Sequence, residues 1–336
     1  MRSPDEKRPT LKTIAEITGL SLSTVSLSLR DGNKLKKATR ERVAEAAAQI
    51  GYVPNRAGVR LRTGKTNVIS LVLATEENTL DYIRRMIHGI GVHIQHTGFH
   101  LNVVPEIERS DPVAMIRYIL NNRTADGVIL THTSARDPRV QFLMEHNFPF
   151  VSHGRTEFYS PHPYHDFHAE RYVELAVERL VSKSRRRILL IPVNDKTTNF
   201  ALTVGAFNRS VMSNGIVGDV VNDQALIDGA KKARAYGYSL SQKGEPFDAI
   251  VCSSELVGLA IVSGLQDGGL ILGQHYDMVC RQTTDILPTL YPEMDTLSED
   301  LYASGAELAD LLIRAIAGDE VSELQTLHEP VVHWRS

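Results

Sequence analysis

The sequence predicts an α/β chain: a small N-terminal head of three helices with a helix-turn-helix, a hinge helix, and a larger body of two lobes built on parallel sheets. Three observations carry this prediction. Residues 13–29 read TIAEITGLSLSTVSLSL, with Ala15, Gly19 and Val25 at helix-turn-helix spacing. Charge is split along the chain, 14 Lys/Arg against 6 Asp/Glu in residues 1–65 (net +8) and 23 against 34 in the remainder (net −11). From Asn67 onward, short apolar segments alternate with helical ones, the pattern of strands covered on both faces.

In the head, Thr10 to Thr18 reads as the first helix. Ala15 is small enough for a close crossing, and Gly19 supplies the positive φ of the turn. Ser21 is placed to cap the second helix, and Val25 fills its seam. The exposed face of that helix then carries Leu22, Ser23, Thr24, Ser26 and Leu27, the face that such a motif lays in the DNA major groove. A turn at 30–33 precedes a third helix opening at Thr39, with Val43, Ala44, Ala47 and Ile50 as its apolar stripe and Gly51 just past its end. The basic excess coincides with this motif, so a polyanion is expected to meet the head alone.

Residues 50–66, IGYVPNRAGVRLRTGKT, form the hinge, with Pro54 at the first position of a short helix. Its GKT ending lacks both the glycine spacing of a phosphate loop and a preceding strand, so no nucleotide is expected there. In the body, apolar strands fall at 68–74, 101–105, 127–131, 148–152, 188–193, 249–253 and 278–280, with helices such as 169–181 and 256–267 between them. A further helix at 302–317 and a terminal strand near 330–333 end the chain. The two cysteines, Cys252 and Cys280, are too few for a disulfide framework and suit a reducing compartment. No apolar run approaches membrane length, and the charged start MRSPDEKRPT is no signal peptide. A cytoplasmic location follows as the expectation.

The helix-turn-helix, the GYVPN step and the helix ending RLRTGKT together resemble the head and hinge of the LacI/GalR family of bacterial repressors. The segments PNRAGVRLRTGKTNVISLVL and HGRT look most like a subgroup concerned with α-glucosides. The resemblance implies a palindromic operator bound by a homodimer, with the hinge helices in the minor groove and Leu61 wedged into the central base step. Thr10, Lys34, Tyr52, Asn55 and Arg56 complete the expected DNA-facing set. It also implies a body like the periplasmic sugar-binding proteins, with a small carbohydrate-like effector between its lobes. The expected divisions are 1–53 for the head, 54–66 for the hinge, 67–184 plus 298–325 for the first lobe, and 185–297 plus 326–336 for the second.

Open α/β sheets collect ligands beyond the carboxyl ends of their strands. Tyr82, Thr131, Arg155, Asp166, Phe200, Thr203, Glu255, Arg281 and Gln282 lie at such ends and are the expected effector contacts, the charged and amide groups as hydrogen-bond partners and the aromatics as stacking surfaces. Several family positions are altered here. Thr203 stands for an arginine, Ser254-Glu255 for Asn-Asp, Cys280-Arg281-Gln282-Thr283 for Gly-Phe-Asp-Asp, and His168-Ala169 for Asp-Asn. The recognition helix is altered too, with Leu27 in place of the usual arginine. His162, His165 and His168 raise a metal site, but two prolines break the run and no cysteine is near. No metal and no cofactor are expected. An enzyme carrying a DNA-binding head would need a nucleophile motif or metal spacing, and neither G-x-S-x-G nor such a spacing occurs. A regulator with a non-sugar effector, or with none, is the other alternative.

Overall fold

In the head, the Thr10 hydroxyl accepts from the Thr13 amide, and the Thr13 hydroxyl accepts from the Thr10 amide. This reciprocal cap satisfies donors that a helix start leaves free and opens α1 (Leu11–Thr18). Gly19 ends it at φ +62°, and the Ser21 hydroxyl accepts from the Thr24 amide at 3.2 Å to start α2 (Leu22–Ser28). The third helix, α3 (Lys37–Gln49), begins two residues before the expected Thr39. Ile14, Val25, Val43, Ala46 and Ala47 make the head core. Ala44, expected inside, is exposed and Ala46 is buried, because Val43, Ala46, Ala47 and Ile50 share one face at helical spacing.

The computed structural model describes residues 9–29, 35–53, 58, 60, 63–74, 80–106, 111–193, 196–223, 229–243 and 247–335. Its contacts divide the chain into two compact units, Met1–Thr66 and Asn67–Ser336.

The second unit holds two six-stranded sheets. In the first, β1 (Val68–Ala74), β2 (His100–Glu106), β3 (Gly127–Leu130), β4 (Phe150–His153), β5 (Tyr164–Phe167) and β11 (Gln325–His328) run in the order β11-β5-β4-β3-β1-β2, all parallel. In the second, β6 (Arg187–Ile191), β7 (Val217–Val220), β8 (Ala249–Cys252), β9 (Asp277–Gln282), β10 (Asp295–Ser298) and β12 (Val331–His333) run β12-β10-β9-β8-β6-β7, with β12 antiparallel to β10. The same winding order thus occurs twice. Its helices are α4 (Leu80–Ile94), α5 (Ala114–Asn122), α6 (Pro138–Glu145), α7 (Ala169–Ser182), α8 (Thr198–Asn214), α9 (Ala230–Ser241), α10 (Glu255–Asp267), α11 (Ile286–Leu290) and α12 (Leu301–Ala317). Strands β5, β7, β10 and β11 escape a search for apolar runs, since they read YHDF, VGDV, DTLS and QTLH.

The lobe boundaries differ from the expected divisions at both ends. Helix α7 lies within 67–184, yet Tyr172, Val173, Ala176, Val177 and Leu180 pack with Ile188, Leu190 and Val251 of the second sheet. The chain therefore leaves the first lobe after Phe167, not after 184. It returns after Ser298, since α12 packs with α4 and the first sheet. β11 then pairs with β5, so residues 326–328 belong to the first lobe, and the last crossing follows at 329–330. Hydrogen bonding decides these boundaries, because a strand joins the sheet whose edge can pair with it. The three crossings are stitched together. The His168 amide donates to the His328 carbonyl at 3.0 Å, His168 Nδ1 meets Glu329 Oε1 at 2.7 Å, and the Asp300 amide donates to His328 Nε2 at 3.3 Å.

Each lobe has one helix pair locked by reciprocal glycines. A Cβ on Gly89 of α4 would run into the Tyr302 carbonyl of α12, and one on Gly305 into the Met86 carbonyl. Gly237 and Gly264 make the same arrangement between α9 and α10. Gly91, on the same helix as Gly89, has open space around its missing Cβ. Gly89→Ala should therefore cost about 1–3 kcal/mol through overpacking, whereas Gly91→Ala should be neutral or stabilise by up to about 1 kcal/mol. Urea unfolding of both variants checks this, and equal midpoints would refute the close crossing.

Candidate functional sites in the head and the body

On α2, Leu22 is 54% exposed, Ser21 and Ser23 are exposed, and Thr24, Ser26 and Leu27 are partly so. Leu27 is not among the side chains packed on the head core, whereas Leu29 and Tyr52 are. The helix thus offers two leucines and a set of hydroxyls outward. Ser21 and Thr10 are engaged as helix caps, and their hydroxyls also meet those of Ser23, Thr24 and Thr13. Lys34, Asn55, Arg56 and Leu61 lie outside the described residues.

In the body, the carboxyl ends of both sheets meet. The Thr198 amide and hydroxyl donate to the Thr133 carbonyl at 3.1 and 3.4 Å, and Asn199 Nδ2 donates to Asp166 Oδ1 at 3.4 Å. All three bonds join one lobe to the other. Asp166 Oδ2 also accepts from Arg155 Nε at 2.8 Å, and Arg155 Nη2 reaches Glu170 at 2.8 Å.

The centre of this meeting is Glu299, at the second crossing, with a side chain wholly removed from solvent. It pairs with Arg281 from the end of β9. Across the divide, its Oε1 faces His153 Nε2 from the end of β4 at 3.5 Å. His153 Nδ1 in turn bonds the Tyr82 hydroxyl of α4. Burial pushes the Tyr82 phenol well up, with Glu299 adding to it, so the phenol keeps its proton and can donate to Nδ1. That leaves the imidazole proton on Nε2, facing Glu299. Burial alone would raise the Glu299 carboxyl, but Arg281 and then His153 overcome it and hold it at about 2. The Arg281 guanidinium also lies over the Phe167 ring, 4.3 Å from its centroid.

Beside this cluster, Arg139 is held by Asp137 and Glu106 and donates to the carbonyls of Thr131 and His132. It pins His132 at φ +54°, a setting uncommon outside glycine, with the ring centroid 5.6 Å from that of Tyr82. His165 stacks against His153, donating or accepting at Thr326 and Ser304 (2.8 and 3.1 Å). Apart from the facing Glu299 Oε1 and His153 Nε2, four side-chain atoms around the meeting are buried without a hydrogen-bond partner: Arg281 Nε, His132 Nδ1, Asn199 Oδ1 and Ser253 Oγ.

Of the residues expected from sequence, Tyr82, Arg155, Asp166 and Arg281 converge on this place. Gln282 borders it and accepts from Thr296 Oγ1 at 2.7 Å. Phe200 and Thr203 lie on α8, with Thr203 buried. Thr131 is buried and donates to the Val72 carbonyl. Glu255 is spoken for: its carboxylate accepts the Thr283 and Thr284 amides and hydroxyls, bracing the turn after β9. Glu299, His153, His132 and Asn199 were not picked out by sequence. Glu299 follows a strand too polar to read as one; His153 and Asn199 do lie in strand-end segments, which was the available signal. His162, His165 and His168 go to separate partners, and among the described residues no group of three metal-binding side chains forms. No described helix is long and apolar enough to cross a membrane.

Two family models match the chain. Residues 10–55 match bacterial regulatory proteins of the lacI family, and residues 66–323 match the periplasmic binding proteins and sugar-binding domain of the LacI family. The HTH-type transcriptional regulator AglR of Rhizobium meliloti is 30% identical over 320 residues, spanning 91% of this chain and 87% of that protein. Among solved structures, the CelR–cellobiose complex is similar with a TM-score of 0.71 at 23% identity, covering 98% of this chain and 99% of that one. The Lac repressor dimer bound to operator and the anti-inducer ONPF gives 0.82 at 20% identity, covering 97% and 98%.

The buried imidazoles set a pH dependence. Burial pushes His165 down to about 3, and His132 to about 4, from 6.5. Folded, they stay neutral; unfolded, they take up protons below 6.5. Their stabilisation is complete above that value and is lost as pH falls toward the folded ones. His165, 4% exposed, should remove on the order of 2 kcal/mol between pH 6.5 and 5, with Glu299 adding its own loss from about pH 4.5 downward. Melting temperature should drop from pH 7.5 to 5, less steeply in His165→Gln. A flat profile would show that these rings are not held neutral.

Proposed function

The chain belongs to the lacI family of bacterial regulatory proteins, and from that premise we propose that it is a cytoplasmic, homodimeric repressor released from or held on its operator by a small carbohydrate. It is a DNA-binding regulator of transcription, and it works by binding rather than by catalysis. The observation that carries the effector reading is the group of four partnerless buried polar atoms, Arg281 Nε, His132 Nδ1, Asn199 Oδ1 and Ser253 Oγ, where the lobes meet. A buried polar atom without a partner costs about 1–3 kcal/mol, and a polyhydroxyl ligand entering between the lobes supplies both donors and acceptors. The cellobiose bound in the CelR complex and the α-glucoside character of the nearest motifs support a sugar. Effector and operator then act on each other through one coupling free energy, each changing the other's affinity by the same factor.

Melting the full-length protein with a panel of disaccharides tests this, because a ligand that favours the folded state raises the melting temperature. The same sugar should change operator affinity in a gel-shift titration. A thermal shift without any change on DNA would overturn effector control.

The head makes a separate prediction. Arginine pairs bidentately with guanine O6 and N7, whereas leucine meets the thymine methyl. With Leu22 and Leu27 outward, the half-site should favour T where an arginine would demand G. Binding-site selection from random DNA should show Leu27→Arg moving one symmetric pair of positions toward G, by about 1–3 kcal/mol. An unchanged site would remove Leu27 from the base-reading set.

A further inference from the structure

The charges at the lobe meeting cancel one another. Among the described residues there, Arg155 is taken by Asp166 and Glu170, and Arg281 by Glu299. Lys196, beside the start of α8, is also not free. Two guanidinium groups thus face three carboxylates. His132 and His165 add no charge, both being pushed far below neutrality by burial.

The partnerless atoms argue the same way. Asn199 Oδ1 is an acceptor only, Arg281 Nε is a donor only, and Ser253 Oγ can serve as either, while the carboxylate of Glu299 beside them only accepts. A hydroxyl both donates and accepts, so it can answer each of them. A phosphate dianion only accepts, and it would set oxygen against oxygen at Glu299 and Asn199. Among the described residues it would also find no guanidinium without a carboxylate to offset its lost hydration.

Resting on the carbohydrate reading above, we propose that the interlobe site selects an uncharged sugar and rejects the phosphorylated form of the same sugar, with Glu299 as the residue that enforces the choice. Glu299 does so by neutralising Arg281, the guanidinium that a phosphate would otherwise claim.

Calorimetric titration of the full-length protein at pH 7.5 tests this, using maltose, sucrose, trehalose and cellobiose, each beside its 6-phosphate. The wild type should bind at least one neutral disaccharide, with its 6-phosphate at least 10-fold weaker. Glu299→Gln leaves Arg281 uncompensated and should weaken the neutral sugar while strengthening the phosphate, shrinking or reversing that ratio by 10-fold or more. A merely structural role would lower both affinities together and leave the ratio alone. Should that variant fail to fold, Glu170→Gln frees part of Arg155 nearer the surface and should move the ratio in the same direction. A wild type that prefers a 6-phosphate overturns the charge selection while leaving carbohydrate control standing. A ratio unmoved in a folded Glu299→Gln overturns the assignment to Glu299. Binding of neither series overturns the carbohydrate reading, and this inference with it.

Discussion

The buried carboxylate of Glu299 ties the body together. It sits where the chain passes between lobes, and it faces a guanidinium from one sheet and an imidazole from the other. An ionised carboxylate removed from solvent is tolerable only with such partners, so Arg281 and His153 must arrive at one place for the lobes to meet as they do. From His153 the chain of contacts continues to Tyr82 at the start of α4, and from Arg281 to Phe167 at the end of β5. Removing the carboxylate would leave a buried cation. Moving the first lobe away would take His153 from the carboxylate and leave it to Arg281 alone.

That geometry follows from the winding order. In both sheets the first strand of the lobe lies beside the second on one side and the third on the other. Such an order opens a crevice at the carboxyl ends of the inner strands. The two lobes present these ends to each other, which is why Thr133, His153, Asp166, Asn199 and Arg281 converge from distant stretches of sequence. The glycine-locked helix pairs stand behind the sheets and leave little room for either lobe to deform internally. The lobes are joined through the three crossings, where His168, His328 and Glu329 tie the strands.

The head is organised on a different scale. Its core is a handful of small side chains, Ile14, Val25, Val43, Ala46 and Ala47, and a domain that small has little stability in reserve. Two of its three helices are accordingly capped at their starts by side chains, Thr10 and Ser21. Its second helix turns Leu22 and Leu27, rather than a long cation, toward solvent.

The sequence by itself determined the head in detail: the turn glycine, the cap at Ser21 and the buried Val25 are local features, set within a few residues of each other. It also determined the alternation of apolar strands and helices, since a strand covered on both faces must be apolar throughout. Of the four strands it concealed, VGDV and QTLH are sheet edges, YHDF carries Asp166 of the lobe meeting, and DTLS carries Asp295, which pairs with Arg179 and Lys183. Tyr82, Arg155, Asp166 and Arg281 were legible as groups at strand ends. The fate of each was not. Glu255, equally suggestive in sequence, spends its carboxylate on a turn, whereas the unremarked Glu299 occupies the centre. Only tertiary structure could decide between them. The partner of a buried charge is fixed by which strand ends meet across the lobes, and such a meeting, between residues as far apart as 153 and 299, leaves no mark on the residues next in sequence.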